Sequence, residues 1–179
     1  MKPRRVAGLV LLVVPVISAL AQDPAGQPLY GTFAFEMTIS VPGSRGEVFN
    51  ALTGDISAWW DHSFSKNPYR FYIEPKPGGG FYEIFNERGD GILHATVTGA
   101  VRGEMLRFEG PLGLAGQAIT LVCTYSLSDQ GSDSTRVHLS VRAAGEVKEG
   151  QPALVKSVWH HFLVDRFQPF MEEHARKMR

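Results

Sequence analysis

The run Pro77-Gly78-Gly79-Gly80-Phe81 constrains this chain more than any other feature. A double tryptophan, Trp59-Trp60, precedes it and strands of alternating polarity follow it. Glycines leading into a strand mark a sharp bend, here the start of a long curved sheet. The run is not a phosphate loop, because no lysine follows it and a phosphate site needs a helix N-terminus. Curved sheets of this kind wrap something, so the first expectation is a container.

The strands read from their period of two. Phe33, Phe35, Met37 and Ile39 alternate with Thr32, Ala34, Glu36, Thr38 and Ser40. Further strands are expected over 71–74, 81–85, 92–101, 105–109, 119–128 and 135–144, with a turn-rich hairpin over 86–91 and a polar loop over 129–134. Leu93, Ala95 and Val97 should face the core, with His94, Thr96 and Thr98 outward. Ile119, Leu121, Cys123, Tyr125 and Leu127 repeat the pattern. One oily and one wettable face describe an antiparallel sheet covered on one side.

Helices are expected at two places. Ser44 followed by Glu47 is a capping box, which starts a helix at Arg45 that runs to about Thr53. Gly54 stops it, and Asp55 caps a second short turn carrying Ile56, Trp59 and Trp60. The segment from Pro152 to about Met178 is helical in composition and roughly 40 Å long at 1.5 Å per residue. Val155, Val158, Trp159, Phe162, Phe170 and Met171 form its apolar stripe, and Pro169 should kink it near Phe167. This helix is the cover for the oily sheet face.

The chain has 179 residues, enough for one domain with a sizeable core, and a formal net charge of zero. That balance argues against nucleic acid as a partner. Lys2, Arg4 and Arg5 precede an almost wholly apolar stretch, Val6 to Leu20, and Ala19-Leu20-Ala21 is a small-x-small cleavage pattern. Residues 1–21 therefore read as a signal peptide, 22–30 as a flexible leader and 31–179 as the domain. Cleavage after Ala21 places the protein in the periplasm or outside the cell, with no stable membrane anchor. Cys123 is the single cysteine and, lying on a strand's apolar face, reads as a small buried hydrophobe.

The order strand, two short helices, long antiparallel run and long final helix resembles the helix-grip fold of the START/Bet v 1-like superfamily. The chain is similar above all to the branch of the C-terminal domain of the Hsp90-ATPase activator Aha1. The residues that carry this likeness are Val48-Phe49 to Leu52-Thr53, Trp59-Trp60 and Pro77 to Phe81, with Leu106, Phe108, Thr135-Arg136-Val137 and Trp159 beyond them. The resemblance spans about Phe33 to Met178. It implies an α+β fold in which a curved antiparallel sheet grips the long helix and leaves a hydrophobic cavity. Relatives of this shape bind lipids, sterols or hormones, cyclise polyketides or act as co-chaperones, and the fold alone does not choose among them.

The candidate ligand-binding residues are Trp59, Trp60, Phe81, Glu83, Phe108, Tyr125, Trp159, Phe162 and Arg166. Each aromatic either fills the core or lines a pocket, and tryptophan suits a half-wet cavity mouth. Arg166 lies one turn beyond Phe162 on the stripe; buried there, it needs a carboxylate or an anionic ligand head, with Glu83 the candidate partner. Its other reading is a surface arginine paired locally. Strand-elbow serine, helical zinc pair and phosphate loop are all missing, so no catalytic residue, metal or cofactor is assigned. His160 and His161, about a hundred degrees apart on a helix, cannot chelate one metal together. His94 and His138 read as solvated surface, and His62 beside Asp61 as an ordinary loop histidine, its other reading being a general base at a cavity mouth. The expected function is capture of a small apolar or amphipathic molecule. The alternatives are a polyketide-cyclase or hydratase-type enzyme using the same cavity, and a chaperone-like interaction module.

Overall fold

The computed structural model describes residues 30–178. The expected signal peptide and all but the last residue of the expected leader lie outside the described residues; Tyr30 already belongs to the first strand. Eight antiparallel strands form one sheet: β1 (Tyr30–Pro42), β2 (Gly54–Asp55), β3 (Arg70–Ile73), β4 (Gly80–Ile84), β5 (Gly91–Val101), β6 (Met105–Gly110), β7 (Ile119–Asp129) and β8 (Ser134–Glu146). Their order is β1-β8-β7-β6-β5-β4-β3-β2. The chain leaves β1, crosses to the far edge and meanders back until β8 pairs with β1 along its whole length.

Helix α1 (Arg45–Ala51) makes that crossing. Ser44 caps it as the sequence predicts: its hydroxyl accepts from the Glu47 N–H, and the Glu47 carboxylate accepts from the Ser44 N–H at 2.8 Å. The second expected helix is one hydrogen-bonded turn, in which the Trp60 N–H donates to the Ile56 carbonyl at 3.0 Å. Asp55 starts it by accepting from the Ser57 N–H. The two-residue β2, too short for any pattern to show, holds this turn against β3.

The glycine run performs the bend expected of it. Gly78 has φ of +78°, and a Cβ on Gly79 would stand 2.6 Å from the Glu74 carbonyl oxygen. The sheet is then bent by two irregularities in β5. At the first, Phe81 pairs with Ala95 and Tyr82 with Leu93, leaving His94 as an extra residue. A bulge puts two successive side chains on one face. His94 and Ala95 are accordingly both buried, and Leu93, expected inward, is 52% exposed. The reading of His94 as solvated surface is thus overturned. Gly110 makes the bulge possible from the next strand, since a Cβ there would lie 2.5 Å from the His94 carbonyl oxygen.

The cover consists of α2 (Gln151–His160), a π-helical stretch (His161–Phe167) and α3 (Gln168–Lys177), continuous from end to end. In the stretch ahead of Pro169 the Gln168 N–H donates to the Leu163 carbonyl, five residues back. Such a turn holds one residue more than an α turn and shifts the phase of everything beyond it. The buried positions therefore run Val155, Trp159, Phe162, Phe167, Met171, with Leu163 alongside. The stripe expected at 162, 166, 170 and 171 keeps 162 and 171 but takes 167 in place of 166, which carries Arg166 into solvent and leaves Phe170 half-buried. The helix lies on the oily face of the sheet, where Trp159 meets Phe108 at 6.4 Å and Tyr125 at 6.2 Å between ring centres. Cys123 is fully buried there, and burial pushes its thiol well above the ordinary range.

Candidate ligand cavity

Between sheet and helix a cavity of about 450 Å³ remains. Trp60, Phe81, Trp159 and Phe162 wall it, joined by Leu121 from β7 and by Val155 and Val158 from α2. Trp60 lies against Phe162, the ring centres 3.7 Å apart and the planes 17° from parallel, and meets Phe81 edge-on at 5.0 Å. The loop Pro111 to Leu114 closes one end, with Leu112 held at φ of +51°. A left-handed leucine costs about 1 kcal/mol or more, and such strain gathers at ligand clamps. Phe64 and Leu154, 49% and 61% exposed, stand where the cavity opens to solvent.

His62, Ser63 and His94 bring polar side chains to the cavity, and Ser63 and His94 meet at one carboxylate. Behind them lies Glu83, 0% exposed. Its carboxylate accepts from the Ser63 hydroxyl, from the Phe64 and Ser65 N–H groups at 3.0 Å each, and from His94 Nε2 at 3.1 Å. Burial alone pushes the Glu83 carboxyl up, but these four donors together outweigh it and hold the group below the ordinary glutamate range. The His94 ring lies among Phe81, Phe64 and Phe71, at 5.2, 5.6 and 6.4 Å between centres.

A second polar cluster ties the Trp59-Trp60 turn to the π-helical stretch. Asp61 accepts from His62 Nδ1 at 3.1 Å and from His161 Nε2 at 2.9 Å, and forms an ion pair with Arg166, whose Nε stands 3.1 Å away. Partial burial pushes the Asp61 carboxyl up; the two histidines and the arginine bring it below the ordinary aspartate range. Asp61, His62 and His161 present donor atoms within 4.8 Å of one another and could hold a metal ion. Arg166 already neutralises that carboxylate, which works against a second cation there.

Of the nine residues expected to bind ligand, Trp60, Phe81, Trp159 and Phe162 stand in the cavity wall. Trp59 does not: its ring is buried against Phe167, and its indole N–H donates to the Ala51 carbonyl at 2.9 Å. Phe108 and Tyr125 form the packed layer behind the wall. Glu83 stands behind His94 and does not pair with Arg166, which pairs with Asp61 and is not among the residues lining the cavity. Pattern reading passed over His94, Ser63, Leu121 and the 111–114 loop. The apolar Pro111-Leu112-Gly113-Leu114 between two strands was a usable signal, since exposed loops are seldom so greasy.

No protein-family model matches the sequence. No curated protein matches it either. Solved structures do share its shape. A protein of unknown function from Staphylococcus aureus is 14% identical over 80% of this chain and 91% of its own, with a TM-score of 0.53. A protein from Chromobacterium violaceum is 17% identical over 78% and 96%, at 0.52. DynU16, from the dynemicin biosynthetic locus, is 18% identical over 78% of this chain and 47% of its own, at 0.54. At such identities the likeness establishes the helix-grip architecture alone.

Proposed function

We propose that this protein captures a small apolar or amphipathic molecule between its sheet and its terminal helix, as a member of the START/Bet v 1-like superfamily in the branch resembling the Aha1 C-terminal domain. The observation that carries the reading is the cavity itself: roomy, aromatic-walled, with polar side chains from His62, Ser63 and His94. Apolar walls hold a hydrocarbon body, and convergent polar groups fix its orientation. Covering about 400 Å² of ligand carbon contributes about 10 kcal/mol, and losing about 4 kcal/mol of that to association leaves binding in the tens of micromolar. The Trp59-Trp60 turn, latched to the helix by Asp61, would serve as the lid.

Titration with N-phenyl-1-naphthylamine, an uncharged fluorescent probe, tests this. One saturable site with micromolar affinity is expected, and Val158→Trp, which fills the cavity, should weaken it at least tenfold with the circular dichroism spectrum unchanged. A probe that neither brightens nor saturates would favour the chaperone-like reading, in which the surface works and the hollow does not.

The basic start and apolar run of residues 1–20 support export to the periplasm or beyond. Terminal sequencing of protein recovered from the periplasm or medium should begin at Gln22. Recovery in the cytoplasm with residues 1–21 intact would overturn export.

A further inference from the structure

We propose that His94, held by Glu83, is a general base acting on the molecule bound in this cavity, the substrate being an apolar ring compound with an acidic C–H beside a carbonyl. The inference rests on the cavity being a binding site and says what happens to the molecule once there.

The geometry begins with the first β5 bulge, which bends the sheet and also sets a titratable side chain on its apolar face. The β5 bulge gives up one ladder pairing and turns an imidazole into an apolar wall. Glu83 is already satisfied without it, by one hydroxyl and two backbone N–H groups. The added contact to His94 Nε2 therefore serves the imidazole more than the carboxylate. An ionised carboxylate only accepts, so Nε2 must carry the proton and Nδ1 the lone pair. No described residue meets Nδ1. Arg70 Nε is the one sealed side-chain atom without a partner among the described residues, so Nδ1 is open to the cavity that His94 lines.

A carboxylate behind an imidazole fixes its tautomer and stabilises the imidazolium formed when the far nitrogen takes a proton. Low-dielectric walls strengthen that stabilisation. The step needs no co-reactant. The substrate C–H breaks, its proton goes to Nδ1, and the electron pair moves through the adjacent carbon onto the carbonyl oxygen. Return of the proton to the same carbon gives exchange, and return to a conjugated carbon gives the tautomer. His62 lines the same cavity with its Nδ1 on the Asp61 carboxylate, but its side chain is half exposed and lacks the dry surroundings that His94 has. Glu83 touches no substrate and is a positioning residue.

The test uses 5-nitrobenzisoxazole, a flat apolar ring. A base removes its ring C–H proton, the C–H pair forms the nitrile and the N–O bond breaks to give a coloured phenolate. With the intact protein, turnover should saturate and exceed that of equimolar free imidazole by about 100-fold, within the usual range for a positioned base. It should rise with pH through a single ionisation. His94→Gln should bring kcat to the free-imidazole level and leave quenching of tryptophan fluorescence by the probe unchanged. Glu83→Gln should move the pH midpoint down, because a neutral amide no longer favours the imidazolium. His138→Ala, on the outer face of β8, should change nothing. Binding with no turnover above the His94→Gln rate overturns the base and leaves the binding reading standing. Failure of both this probe and N-phenyl-1-naphthylamine to bind overturns both. Should His94→Gln not fold, nitrogen NMR of the unsubstituted protein decides: a proton on Nε2 supports the base, and a proton on Nδ1 overturns it.

Discussion

Glu83→Leu should lower the unfolding free energy by about 3–5 kcal/mol, the range for removing the charged partner from a buried polar cluster. Leucine fits a buried strand position, so the loss comes from the groups left behind. The Ser63 hydroxyl and the Phe64 and Ser65 N–H groups would all lose their acceptor, as would His94 Nε2. Stranded donors cost about 1–3 kcal/mol each when they stay buried. Loop 63–65 can relax outward and recover part of this by meeting water, which keeps the total below the simple sum. Urea unfolding followed by tryptophan fluorescence measures it, and a loss under about 1 kcal/mol would mean that Glu83 is solvated in the native protein. The same carboxylate predicts a pH effect of known sign. Its folded pKa lies below its ordinary value of 4.5, so the folded state binds this proton less readily than the unfolded chain. Its stabilisation is complete above about pH 5 and fades as pH falls through the folded value. Glu83→Gln should therefore show a flatter loss of stability between about pH 5 and 3 than the unsubstituted protein.

Phe108→Ala should cost about 3–5 kcal/mol as well, by the loss of buried carbon and the void left behind. Phe108 is 1% exposed and meets Phe81, Tyr125 and Trp159 at 5.9, 6.1 and 6.4 Å between ring centres. The midpoint of thermal unfolding should drop by about 10 °C for a domain of this size. Phe81 and Trp159 are also cavity walls, so the void opens next to the cavity. The variant should then admit a bulkier probe than the unsubstituted protein while being less stable. A stability change below about 1 kcal/mol would show that sheet and helix are not packed through this layer.

Most of the architecture was legible because it rests on local chemistry. Alternation located seven of the eight strands to within two residues at either end, and only the two-residue β2 escaped it. The Ser44–Glu47 box started α1 at its observed residue. The wall residues Trp60, Phe81, Trp159 and Phe162 were legible for the same reason, being aromatics on faces that the pattern turned inward. Two polar positions turned on irregularities that the pattern does not show. His94 was read as solvated, and of the two readings of Arg166 the inward one, with Glu83 as partner, gave way to the locally paired surface arginine. Both the outward and the inward placement had assumed an unbroken period. A single bulge turned His94 inward, and a single π turn sent Arg166 outward to Asp61.

The amino-acid order by itself settled the element sequence, the oily face and the helix that covers it, since those follow from side-chain period and capping between near neighbours. The imidazole that faces the hollow was decided only in three dimensions. One inserted residue in a strand or helix reverses or rotates everything past it, and its position depends on which strand lies alongside and how closely. Gly110 permits that approach from sixteen residues beyond His94, a distance at which no local pattern operates.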